Sequence, residues 1–96
     1  MTRARTLALL SESKPTLVAR YGVTRLALFG SVVRDSAGSS SDIDVLVAFD
    51  GPATAERYFG VQFYLEDLLG RPVDLVTEPA LRAELRPFIE QEARDV

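Results

Sequence analysis

Two carboxylates one residue apart, Asp42 and Asp44, open an apolar run, Val45-Leu46-Val47-Ala48-Phe49. Ten residues separate them from a Gly30-Ser31 pair, which closes another such run, Leu26-Ala27-Leu28-Phe29. Side chains alternate along a strand, so Asp42 and Asp44 project from one face, about 7 Å apart. Like charges at that spacing repel unless a cation lies between them. Magnesium, which prefers carboxylate and phosphate oxygens, is the natural occupant. Gly30 permits a left-handed turn and a close backbone approach, while Ser31 and the amides that open the next helical turn suit a phosphate. Arg34 follows one turn later, where it could clamp a phosphate. These residues imply metal-dependent handling of nucleoside triphosphates.

A third carboxylate, Asp74, sits inside the apolar run Val73 to Val76. A lone carboxylate there is costly to bury unless it is paired, metal-bound or at a cleft edge. If the strands carrying Asp44 and Asp74 are neighbours, the three acids form a pocket for two magnesium ions about 3.5–4 Å apart. Asp74 could then also take the proton of an attacking hydroxyl. Each residue has a plainer reading too. Asp42 could cap a turn, Asp44 could face solvent, Gly30-Ser31 could be an ordinary strand-to-helix turn and Arg34 a solvated surface residue. The combination carries the metal reading. No G-x-x-x-x-G-K-[ST] loop and no G-x-G-x-x-G turn occurs, so the site is neither a P-loop nor a Rossmann site.

Composition narrows the chemistry further. The chain has 96 residues, with no cysteine and no histidine. Thiolate zinc sites, disulfides and imidazole acid–base chemistry are thereby excluded, so a metal must be held by oxygen and a base is a carboxylate. The net charge of −3 argues against strong nucleic-acid binding, which needs a dense basic surface. No apolar run reaches the roughly 18 residues of a membrane span, and the N-terminus lacks a signal-peptide pattern. A single domain over 1–96, cytoplasmic and without membrane contact, is the expectation.

The elements that must position these groups follow from the apolar pattern. Residues 3–21 read as two short helices meeting at Ser13-Lys14-Pro15, because proline is excluded from a helix interior, and Gly22 ends the second. Strands are expected at 25–29, 42–49 and 73–76. A short helix-like segment is expected at Val32 to Asp35 and a polar loop from Ala37 to Ser41. Residues 53–69 read as a helix stopped by Gly70 and Pro72, with Gly60 as its weak point. A final helix is expected over 81–93, restarted at Pro87. The result is an α+β domain, a short mixed β-sheet flanked by helices.

Three words of the sequence carry a resemblance: Leu28-Phe29-Gly30-Ser31-Val32-Val33-Arg34, Ser41-Asp42-Ile43-Asp44-Val45-Leu46-Val47, and Leu69-Gly70-Arg71-Pro72-Val73-Asp74-Leu75-Val76. Over 17–93 the chain resembles the nucleotidyltransferase superfamily that includes DNA polymerase beta. More narrowly it resembles the minimal nucleotidyltransferases, small antitoxin-type proteins encoded beside HEPN-domain toxins. The resemblance implies the small nucleotidyltransferase fold and a magnesium-dependent transfer of AMP from ATP to a hydroxyl, with release of pyrophosphate. It implies Asp42, Asp44 and Asp74 as catalytic and metal-binding residues, with Asp74 as the base, and Gly30 and Ser31 as triphosphate ligands. It further implies a hetero-oligomer with a HEPN toxin, silenced by AMP added to one of its tyrosines. The alternative is an antitoxin that neutralises its toxin by covering it, without catalysis. The aromatic group Tyr58, Phe59, Phe63 and Tyr64 exceeds what one buried stripe needs and could form part of such a partner surface, or could be plain core packing.

Overall fold

The first helix, α1, runs unbroken from Arg3 to Tyr21 with Pro15 inside it. The expected break at Ser13-Lys14-Pro15 does not occur. Thr6, Leu9, Leu10, Ser13 and Leu17 form one buried stripe through the proline, and tertiary packing of that stripe outweighs the local penalty. The buried Ser13 hydroxyl donates to the Leu10 carbonyl at 2.7 Å, which gives the hydroxyl a partner within the buried stripe. Gly22, at φ 71°, ends the helix as expected and donates its N–H to Leu17 and Val18. The computed structural model describes residues 2–34 and 42–96. The loop expected from Ala37 to Ser41, and Asp35 at the end of the preceding segment, lie outside the described residues.

Four strands follow: β1 (Val23–Phe29), β2 (Ile43–Phe49), β3 (Val73–Thr77) and β4 (Arg94–Asp95). They form a mixed sheet in the order β3-β2-β1-β4. β1 lies antiparallel to both β2 and β4, whereas β2 and β3 are parallel. A parallel pair needs a crossover, and α2 (Ala55–Leu69) supplies it, capped by the Thr54 side chain and ended at Gly70 with φ 68°. The expected final helix over 81–93 is shorter. A 3-10 turn covers Glu78–Ala80, α3 covers only Arg86–Glu92 with Pro87 in its first turn, and β4 follows. Proline favours a first helical turn, and the pairing of Arg94 and Asp95 with β1 draws the chain out of the helix.

Alternation in the strands divides the core. Leu26, Leu28, Val45, Val47, Val73 and Leu75 pack with Leu9, Leu10 and Leu17 of α1 and Val61, Leu65 and Leu69 of α2. Ala27, Phe29 and Leu46 pack instead with Leu81, against which Val76, Ile89 and Ala93 also lie. One face of the sheet is therefore covered by two long helices, the other by the C-terminal segment. Asp44 and Asp74 share strand parity with Leu46 and Val76, which places them on the second face.

Gly60 has a packing reason that periodicity does not show. A Cβ there would overlap the Tyr21 ring, lying 2.7 Å from Cζ. Its absence lets the end of α1 lie against α2.

Candidate active site

β1 ends where β2 and β3 begin, so three chain segments meet at one end of the sheet. Phe29 pairs with Asp44, and Asp44 pairs in turn with Asp74 across the parallel ladder. The acids at 44 and 74 are thus brought together as the sequence reading expected for neighbouring strands. Asp42 stands just before β2 and is exposed. The start of β3 is held from several sides. The Ile43 N–H donates to the Pro72 carbonyl at 3.0 Å, the Val73 N–H to Glu66 Oε2 at 2.9 Å, and Gln62 Nε2 to the Val73 carbonyl at 3.1 Å. The Tyr58 hydroxyl adds a 2.6 Å bond to the Leu75 carbonyl. These α2 side chains fix the strand that carries Asp74.

Asp44 is the electrostatic centre of the arrangement. Burial pushes its carboxyl up from the ordinary 3.8 to about 6. The Asp74 charge adds to the shift, as does a hydrogen bond between the two carboxyls, and Asp42 contributes less, while Arg34 opposes it. Two carboxylates close enough to share a proton form a unit whose charge is incompletely compensated by protein.

Gly30 adopts φ 78°, the left-handed turn expected of it. The close approach it permits is to Asp44: a Cβ at position 30 would overlap the Asp44 carboxylate, lying 2.8 Å from its Cγ. The segment from Ser31 to Arg34 is a turn closed by the Arg34 N–H on the Gly30 carbonyl at 3.3 Å. Val32 and Val33 are buried and anchor it. Arg3 of α1 donates to the Val33 carbonyl at 3.0 Å. Arg34 is left projecting, with its side chain 56% exposed, and pairs with Glu92 at 2.8 Å. Glu92 also accepts the Gly30 N–H at 2.9 Å. Sequence reasoning missed Glu92, since 58 residues separate it from Arg34 and no local pattern links them. It also missed Glu66 and Gln62, which lie 7 and 11 positions before Val73 and reach it because α2 packs back against β3.

The donor set suits a hard cation: carboxylate oxygens only, on acids whose negative charge the protein leaves incompletely compensated. Among the described residues, no three acidic side chains converge closely enough to cage an ion. Asp44 and Asp74 would be the anchoring ligands, with Asp42 at the exposed rim. A cavity lined by Phe49, Pro52, Ala53, Thr77 and Pro79 lies at the opposite end of β2 and β3.

Residues 10–96 match the family described as the nucleotidyltransferase domain. The chain belongs to that family. A curated relative, protein adenylyltransferase MntA of Thermococcus cleftensis, is 35% identical over 85 residues, which cover 88% of this chain and 86% of the relative. A solved chain described as a candidate minimal nucleotidyltransferase superimposes with a TM-score of 0.78 at 40% identity, covering 100% of this chain and 97% of that one. The fold also matches a structure described as a tri-AMPylated Shewanella oneidensis HEPN toxin in complex with its MNT antitoxin. That match has a TM-score of 0.59 and 19% identity, covering 97% of this chain and 66% of that one.

Among the described residues, no helix is long and apolar enough to cross a membrane.

Proposed function

We propose that this nucleotidyltransferase is a magnesium-dependent protein adenylyltransferase, the antitoxin of a HEPN toxin, acting in the cytoplasm as part of a hetero-oligomer. The reading has AMP pass from ATP to a tyrosine hydroxyl of the toxin. The Asp44–Asp74 pairing, set against the Gly30 turn and Arg34, is the observation that supports it best. The relative named protein adenylyltransferase and the AMPylated toxin complex point the same way.

In this reading Gly30, Ser31 and Arg34 bind and orient the triphosphate. Asp44 and Asp74, with Asp42 at the rim, would hold two magnesium ions, which when bound would supply charge stabilisation for phosphoryl transfer. Asp74 accepts the tyrosine proton as the hydroxyl oxygen bonds to the α-phosphorus. The α–β phosphoanhydride bond breaks, and pyrophosphate leaves with its electron pair. Arg34 offsets the charge on the departing phosphates.

Transfer from α-labelled ATP to the neighbouring gene's product tests this. Label on a partner tyrosine, absent with Asp42→Asn, supports the reading, and wild-type transfer by Asp42→Asn refutes the metal assignment. A second reading, neutralisation by binding alone, draws on one observation. Phe59 and Phe63 are 48% and 59% exposed and stack at 6.0 Å on the outer face of α2, whereas Tyr58 and Tyr64 pack on the core. A stable inhibitory complex without label would favour it.

A further inference from the structure

We propose that Glu92 is a resident anion in the triphosphate site, holding the phosphate-binding groups until nucleotide displaces it. The inference rests on the nucleotide site proposed above. Two of the groups assigned there to phosphate are already engaged by one carboxylate. Glu92 Oε1 accepts the Gly30 N–H at 2.9 Å and lies 3.1 Å from Arg34 Nη1, and Oε2 lies 2.8 Å from the same nitrogen. A triphosphate and Glu92 cannot both take the same N–H and the same guanidinium edge without bringing like charges into contact. Glu92 is also poorly exposed, with its side chain at 24% against 56% for Arg34. It is inserted into the site, and Arg34 reaches over it from solvent.

The position of Glu92 gives its release a consequence. It is the last residue of α3, two residues before β4, the two-residue edge strand on β1. Short edge strands are weakly held. When Glu92 is displaced, β4 loses one of its side-chain anchors, leaving Arg25 on Asp95 and Lys14 on the Val96 carbonyl, and the segment from Ala93 to Val96 loosens. Nucleotide occupancy is thereby reported on the sheet edge formed by the C-terminal segment. The apparent affinity is reduced by the fraction of molecules in which Glu92 occupies the site.

Binding of a non-hydrolysable ATP analogue with magnesium would be measured by calorimetry for the wild type, Glu92→Gln and Glu92→Ala, beside the unliganded thermal midpoint of each. Glu92→Gln keeps an oxygen for the Gly30 N–H and serves if the alanine variant folds poorly. The expected result is affinity tightened about tenfold in the alanine variant and less in the glutamine variant, with unliganded midpoints at or below wild type. A strap with a purely structural role moves both readouts downward together. Hydrogen exchange supplies an independent check. The analogue is expected to speed exchange of the amides from Ala93 to Val96 in the wild type only, since in the variants that segment is already released. Wild-type binding with no gain in either variant, or with slower exchange in that segment, overturns the role of Glu92 and leaves the nucleotide site standing. No binding by any of the three overturns the nucleotide site and this inference with it.

Discussion

Asp44→Asn should stabilise the unliganded fold while removing activity, because the protein holds Asp44 where its charge is disfavoured. Its carboxyl is raised from 3.8 to about 6, first by burial and then by Asp74. A shift of about two pKa units corresponds to roughly 3 kcal/mol at full value. Asp44 is only partly buried, and solvent screening reduces this to about 1–2 kcal/mol. The sign follows from proton linkage. The folded state binds the Asp44 proton more tightly than the unfolded chain, so stability falls as pH rises from about 4 to about 6 and stays lowered above that. Asparagine keeps the shape without titrating. Thermal unfolding in chelator from about pH 4 to about pH 8 should therefore show the variant and wild type converging at the acid end. Near neutrality the variant should melt about 5–10 °C higher. Asp74→Asn should give a smaller gain, since burial, the largest cause, stays with Asp44. Magnesium should close the gap by stabilising wild type alone. A variant less stable than wild type near neutrality, or one offset equally at all pH values, would refute the reasoning.

Three other perturbations probe the scaffold. Gly30→Ala forces a side chain into a φ of 78° and into the Asp44 carboxylate; it should cost about 2 kcal/mol in chemical denaturation and abolish transfer. Gly60→Ala should destabilise the fold, although alanine favours a helix by roughly 1 kcal/mol, because the new methyl overlaps Tyr21; a stabilised variant would show that α1 and α2 can separate freely. Arg25 pairs with Glu78 at 2.9 Å, Glu90 at 2.8 Å and Asp95 at 3.1 Å, and these contacts, that with Glu90 foremost, hold its guanidinium protonated well above its usual range. Arg25→Met should lower stability by about 1–2 kcal/mol, discounted for solvent, with the loss shrinking in high salt.

Much of the site was legible in the sequence because it depends on short-range order. The glycine turn, the Asp-x-Asp spacing and the apolar runs are local patterns, although Asp42, expected inside the second strand, falls just before it. Gly22 and Gly70 ended α1 and α2 where expected, both at positive φ. What sequence could not show was set by distant partners. Pro15 stays helical because the stripe from Thr6 to Leu17 is buried on the sheet. Gly60 matters because Tyr21, 39 positions away, lies over it. β4 exists because β1 offers an edge, and two residues carry no strand signal of their own. Glu92 reaches Gly30 and Arg34 only through that pairing.

The topology explains why the site lies at this end of the sheet. β1 arrives there and β2 and β3 leave from it, so a turn after β1 and acids at the starts of β2 and β3 converge. The α2 crossover makes β2 and β3 parallel, and Asp44 meets Asp74 only in the observed register. A slip of one residue would turn Asp74 toward Leu65 and the helical core and bring Val73 and Leu75 out to the opposite face. Burying an unpaired carboxylate and exposing two valine- and leucine-sized side chains would each oppose that slip. The apolar alternation of β3 that builds the core therefore also aims the third carboxylate. Side chains of Glu66, Gln62 and Tyr58 lock the same strand by its backbone, leaving Asp74 itself free of structural duty among those contacts. Asp74 is thus positioned by bonds to its strand's backbone, and the bond its own carboxyl makes is to Asp44, the other acid of the site.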